Sequence, residues 1–177
     1  VAPRATVAIA APAKLNLSLA VLARRADGFH EIESLMVPVS LADRLVVRDA
    51  ARAGIRLDVR FGGRLASTAG AVLARDVPAD DTNLVVRAVR FLAEEAGIER
   101  GLDIELVKEI PSGAGLGGGS SDAAAALTAA ARVWGLDWPV DRLAAIGARV
   151  GSDVPWFFAG GPAIAASRST GQSRPHT

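Results

Sequence analysis

The segment Pro111-Ser112-Gly113-Ala114-Gly115-Leu116-Gly117-Gly118-Gly119-Ser120-Ser121 runs directly into Asp122 and the alanine-rich stretch Ala123 to Ala131. It therefore sets the most flexible residue type against the strongest helix former, so the chain must pass from a glycine loop into a helix with almost no transition. Glycines lack a Cβ, so their backbone N–H groups can converge on an anion, and the helix that follows adds unpaired N–H donors and the positive end of its dipole. The segment reads as a phosphate cradle. The plainer reading is a flexible loop before a helix, but five glycines and three serines exceed what a connection needs. Ser120 and Ser121 suit a helix start, and either hydroxyl can cap the first turn or donate to a phosphate; the residues alone do not choose.

Two common nucleotide loops are disfavoured. A P-loop needs a lysine followed by serine or threonine at the helix start, and the loop has no lysine. Gly113, Gly115 and Gly118 satisfy the dinucleotide G-x-G-x-x-G spacing, and Leu102 to Ile110 reads as a preceding strand. A dinucleotide fold would continue into a second strand ending in an acidic residue. Here Trp134-Gly135-Leu136-Asp137-Trp138-Pro139 leads to another helix-like stretch, Val140 to Val150. Pro111 is also awkward in a tight strand-to-helix turn.

The 177 residues, half of them apolar, can bury a core of about one domain. Twenty basic and 19 acidic side chains leave a net charge of +1, with no basic run to track a nucleic-acid backbone. Without cysteine there is no disulfide framework, thiolate metal site or cysteine nucleophile, and two histidines alone make no zinc cluster. This fits a reducing cytoplasm. Pro12 interrupts the apolar start of the chain and Arg4 is its only basic residue there, which argues against a secretory signal. No segment is long enough to span a membrane.

Thr6 to Ala11 and Leu15 to Leu22 have strand-like composition and flank Pro12-Ala13-Lys14. A polar turn with the Asp27-Gly28 pair precedes Glu31 to Leu41, a strand bent near Pro38, and Leu45 to Arg48 and Ile55 to Phe61 extend the meander. Gly62 to Pro78 has weak periodicity and reads as a loop. Leu84, Val85, Ala88, Val89, Leu92 and Ala96 share one helical face that Gly97 ends. The expected fold is α+β, an antiparallel-leaning sheet with helices on one face. One domain over residues 1–166 is expected, followed by a polar, patternless, disordered tail at 167–177 that leaves His176 without a catalytic role.

Three separated segments, Pro12-Ala13-Lys14-Leu15-Asn16-Leu17, the glycine loop with Ser120-Ser121-Asp122-Ala123-Ala124, and Gly151-Ser152-Asp153-Val154-Pro155, together resemble the GHMP kinases. Arg25-Ala26-Asp27-Gly28-Phe29-His30-Glu31 is similar to the substrate segment of the branch that phosphorylates 4-diphosphocytidyl-2-C-methyl-D-erythritol in the non-mevalonate isoprenoid route. The resemblance runs from about Thr6 to Ala166. It implies a fold like the second domain of ribosomal protein S5, ATP as phosphoryl donor with Mg2+, and a small-molecule acceptor rather than nucleic acid or membrane.

By that resemblance Asp153 would take the proton of the substrate 2-hydroxyl, and Lys14 would hold Asp153 ionised and stabilise charge on the transferring group. The structural alternatives are a helix cap for Asp153 and a solvated charge for Lys14. Pro111 to Ser121 would surround the triphosphate, with Asp122 either favouring magnesium at the helix start or complementing the dipole. Asn83 and Lys108 would lie near the adenosine, against the alternatives of a helix cap and a strand-end charge. Phe29 and His30 match an aromatic–histidine pair that holds the cytosine, with phenylalanine where tyrosine is common, and Asn16 would reach the polyol.

The family also carries a second α+β domain, and after Ala166 this sequence stops resembling it. A truncated or fragmentary chain is therefore expected, with exposed apolar surface that favours aggregation or a homodimer. The competing expectations are another small-alcohol kinase, acting on homoserine or mevalonate for example, a non-catalytic nucleotide-binding remnant, or a dinucleotide-dependent oxidoreductase.

Overall fold

The computed structural model describes residues 5–24, 30–67, 77–161 and 163–166. Two long strands, β1 (Thr6–Arg24) and β2 (His30–Ala50), pair antiparallel over most of their length. The sequence reading broke each of them in two. The structure keeps them continuous and places the irregularity in their register: Pro12 faces Ala42, yet Lys14 faces Pro38. Prolines at both positions lack the N–H that a regular ladder would use, so the pairing slips there instead of ending. A second slip between Asn16 and Ser18 is bridged by side chains, with Ser34 Oγ donating to the Ser18 carbonyl at 2.7 Å and the Leu35 N–H to Ser18 Oγ at 3.2 Å.

Three further strands, β3 (Ile55–Phe61), β4 (Gly101–Lys108) and β5 (Ala163–Ala166), complete a mixed sheet of order β1-β2-β4-β3, with β5 paired to the first half of β2. The expected meander stops at β2: its antiparallel neighbour on that side is β4, not the next strand in sequence, β3. The β3–β4 pair is parallel, and such a pair needs a crossover, here through helix α1 (Leu84–Ala96). Along β3, Arg56, Asp58 and Arg60 are exposed while Ile55, Leu57 and Val59 pack toward the core, the alternation of a sheet covered on one side.

Helix α2 (Gly118–Trp134) begins earlier than the serines suggest, with Gly117 as its N-cap and no side-chain cap bond, so neither Ser120 nor Ser121 caps it. From Ser121 to Ala131 every residue except Thr128 is buried. A helix hidden all round has to be lined with small side chains if its neighbours are to close on it. Ala123, Ala126, Ala129 and Ala130, all at 0% exposure, meet that need where α2 touches β1, β2, α1 and helix α3 (Val140–Val150). The succession of α2 and α3, with no strand between them, also removes the dinucleotide-binding reading.

After α3, a short 3-10 helix at Val154–Phe158 packs back on it. Short 3-10 turns also appear at Gly63–Ala66, inside the expected loop. Beyond the register slip, Leu17, Leu19, Val21 and Leu22 of β1 are exposed. No helix among the described residues is long and apolar enough to cross a membrane. The Asp27-Gly28 turn, Phe29 and the expected tail at 167–177 with His176 lie outside the described residues.

The 3-10 helix is seated by one close approach. A Cβ added at Gly147 on α3 would lie 2.7 Å from Cγ1 of the fully buried Val154. Gly147→Ala is therefore expected to destabilise the fold by about 1–3 kcal/mol, despite the better helix propensity of alanine, as read by urea denaturation.

Candidate functional site

The glycine loop is tied to β1 by backbone. Where the register slips, the Lys14 N–H turns away from β2 and donates to the Leu116 carbonyl at 2.9 Å. Gly117 follows with φ +70, and a Cβ there would come within 3.0 Å of both Lys14 Cγ and Phe157 Cζ. Backbone angle and space both demand glycine at this position. The first N–H groups of α2, from Gly117 onward, have no partner within the helix, an arrangement chemically suited to an anion.

Lys14 itself is buried, at 6% exposure, because the loop closes over its stem. Its ammonium donates to Asn16 Oδ1 at 2.9 Å and lies 3.8 Å from Asp153 Oδ2. Asp153 occupies the N-cap position of the Val154–Phe158 turn but makes no side-chain cap bond, and its side chain is 45% exposed. The capping alternative thus fails for Asp153, and the solvated-charge alternative fails for Lys14. A half-exposed carboxylate beside an ammonium stays open to a hydroxyl brought into the cavity.

Lys14, Asn16 and Asp153 share one cavity of about 580 Å3 with Asn83, Lys108, Asp122 and the loop from Pro111 to Ser120. Val77, Pro78, Thr82 and Leu84 complete its lining. Most of the residues singled out in the sequence therefore meet in one place. Asn83 also does the capping work that the alternative foresaw, accepting the Val85 N–H at 2.8 Å and donating to the Pro78 carbonyl at 2.6 Å. Ser121 is turned away: its buried Oγ has no hydrogen-bond partner and faces a separate space of about 80 Å3 beside Phe157 and Phe158. His30 opens β2, with its backbone opposite Arg24.

Lys108 differs from a strand-end surface charge. It is buried between two carboxylates, bonding Asp43 on β2 and, at 2.7 Å, Asp122 Oδ2 on α2. Asp43, at 0% exposure, also accepts the N–H groups of Glu109 at 2.5 Å and Ile110 at 2.8 Å through Oδ1. The sequence reading missed Asp43. Its signal was the alternation of β2, since Asp43 has the same parity as the buried Leu45 and Val47, which turns a carboxylate inward.

Asp122 is buried rather than an exposed dipole partner, and one of its two carboxylate oxygens is already engaged. Its Oδ2 holds an ammonium, whose charge repels a divalent cation at that oxygen. Burial pushes its carboxyl up from 3.8 to about 7, with Lys108 opposing and Asp43 adding to the rise. The folded chain therefore binds a proton at Asp122 that the unfolded chain releases above its ordinary carboxylate range. That contribution to stability is complete below the ordinary range and is lost as pH rises through about 7. Urea denaturation is expected to show stability falling through this window in the wild type, with a flatter decline in Asp122→Asn.

The comparisons with known proteins agree with this geometry. The profile described as "GHMP kinases N terminal domain" matches residues 83–161. A 4-diphosphocytidyl-2-C-methyl-D-erythritol kinase of Pseudomonas paraeruginosa is 43% identical over 159 residues, 90% of this chain and 51% of the relative. The enzyme of that name from Exiguobacterium sibiricum is 42% identical over 163 residues, covering 92% and 52%. A crystal structure of 4-(cytidine 5'-diphospho)-2C-methyl-D-erythritol kinase superposes with a TM-score of 0.70 at 40% identity, over 91% of this chain and 52% of that one. The mevalonate kinase of Methanococcus jannaschii, at a TM-score of 0.67 and 16% identity over 98% of this chain and 56% of its own, shares the fold. The chain spans about half the length of the relatives it matches. With its glycine loop, Lys14 and Asp153 gathered on one cavity of that fold, the chain carries a match to the N-terminal domain of the GHMP kinases over residues 83–161 and is similar to their diphosphocytidyl-methylerythritol branch over nine-tenths of its length.

Proposed function

We propose that this chain supplies the nucleotide side of an ATP-dependent kinase acting on the 2-hydroxyl of 4-diphosphocytidyl-2-C-methyl-D-erythritol, a step toward isoprenoid precursors. The observation that carries the proposal is the Lys14–Asp153 pair, 3.8 Å apart, facing the glycine loop across a single cavity. The acceptor follows from the relatives that bear that enzyme's name at 42–43% identity.

Phosphoryl transfer asks mainly for positioning and for charge stabilisation. The loop amides and the start of α2 receive the triphosphate of ATP. Asp153 accepts the proton as the acceptor oxygen bonds to the γ-phosphorus, while the bond from that phosphorus to the β–γ bridging oxygen breaks and ADP leaves with the electron pair. Lys14 offsets charge on the transferring group, and its bond to Asn16 fixes the lysine rotamer. Mg2+ carried on the nucleotide phosphates would supply neutralisation of part of their charge beside the glycine loop and Asp122. Asn83 borders the same cavity. Phe29 and His30 remain the proposed cytosine contacts.

Phosphate transfer from ATP to the cytidyl substrate is the direct assay. Asp153→Asn is expected to lower the rate by about 10²–10⁴-fold with ATP affinity nearly unchanged. Full activity in that variant would remove Asp153 as the base. Failure of cytidine diphosphate to compete with the acceptor would move the acceptor to another small alcohol.

A further inference from the structure

The glycine loop is anchored at its lead-in by one side chain, Asp43, and is linked to its exit through Lys108. Oδ1 of Asp43 takes the N–H groups of Glu109 and Ile110, the residues that lead into Pro111. Its Oδ2 takes the Lys108 ammonium, and Lys108 passes the connection on to Asp122, one turn into α2 beyond the loop. The Lys108–Asp122 bond joins the lead-in from β4 to the exit into α2, and Asp43 fixes that lysine and the two amides beside it. Charge-assisted bonds to backbone N–H and to an ammonium, shielded from water, are among the stiffest constraints a fold offers. Asp43 is not among the residues that line the cavity.

We propose that Asp43 is the positioning residue of the nucleotide site, holding the glycine loop at the span in which its amides meet a polyphosphate without reorganising. The proposal rests on the nucleotide reading of the loop. Its energetic logic is preorganisation: amides already aimed at an anion cost nothing to align when the anion arrives.

The charges around the loop supply a signature that a merely space-filling Asp43 would lack. The charged groups that face Asp122 are Lys108 from β4 and Asp43 from β2, so two carboxylates share one ammonium beside a cavity that must receive a polyanion. Asp122 is the member able to yield, because its Oδ1 is buried without a partner. An arriving triphosphate favours its protonated form, and by reciprocity nucleotide affinity falls as Asp122 ionises with rising pH. Asp43 adds to the proton affinity of Asp122, so removing the charge of Asp43 moves that pH dependence downward.

Calorimetric titration of the whole chain with a non-hydrolysable ATP analogue, from about pH 6 to about pH 8 in buffers of different ionisation enthalpy, tests this. The wild type is expected to take up a fraction of a proton on binding. Asp43→Asn should weaken affinity about tenfold and shift the pH dependence down, and Asp122→Asn should abolish the pH dependence. Asp122→Asn leaves every bond of Asp43 in place, so it keeps the test open if Asp43→Asn does not fold. A wild-type affinity that ignores pH, or an Asp43→Asn profile that matches wild type, overturns the proposal. Amide hydrogen exchange of Glu109 and Ile110 separates its failure from that of the nucleotide reading. If folded wild type binds no nucleotide, the nucleotide reading falls; faster exchange of these two amides in Asp43→Asn then still supports the hold on the loop, and unchanged exchange overturns it.

Discussion

Helix α2 is buried over nearly all of its surface between Ser121 and Ala131, and the rest of the molecule is arranged around that fact. It lies against the sheet through β1 and β2 and against α1 and α3 on its other flanks, with alanines where neighbours must come close. A helix in that position cannot be entered by a bulky segment. Its N-terminus opens at the cavity, and the glycine loop is the part of the chain that can thread between Lys14, Phe157 and Ile110 to reach it. The positive end of the helix dipole is thereby presented to the cavity, where it favours an anion.

Charges inside such a core have to be matched, and two arrangements do this differently. Lys14 is buried along its stem but reaches a half-exposed Asp153, so the pair stays accessible at the cavity wall. Lys108 is enclosed by Asp43 and Asp122, and its charge goes into holding three elements together. The first arrangement depends on the register slip at Pro12, which releases the Lys14 N–H to the loop. The second depends on the alternation of β2, which directs Asp43 inward beside Leu45 and Val47. Chemistry at the surface of the cavity and stiffness beneath it thus come from neighbouring strands of one hairpin.

Much of the site was legible because its residues belong to short, ordered segments. Gly113 to Gly119, Lys14 with Asn16, and Asp153 all line the cavity that the sequence implied. The boundaries of α1 and α3 were legible too, since Asn83, Gly97 and Pro139 mark them by local chemistry. What escaped was set by partners distant in the chain. Ser120 and Ser121 have the composition of caps, yet helix packing draws the helix start back to Gly117 and buries Ser121 against another cavity. Lys108 reads as an ordinary strand-end charge until Asp43, some 65 residues away, is folded onto it.

By itself the sequence determined the glycine loop, the alanine helix behind it and the order of motifs that marks the family, because these follow from backbone freedom, helix propensity and local spacing. The tertiary structure alone decided that β1 and β2 run unbroken past their prolines, that β3 and β4 pair in parallel, and that Asp43, Lys108 and Asp122 form one buried unit. Strand register and charge burial are settled by contacts between residues far apart in the chain, and no local pattern carries that information.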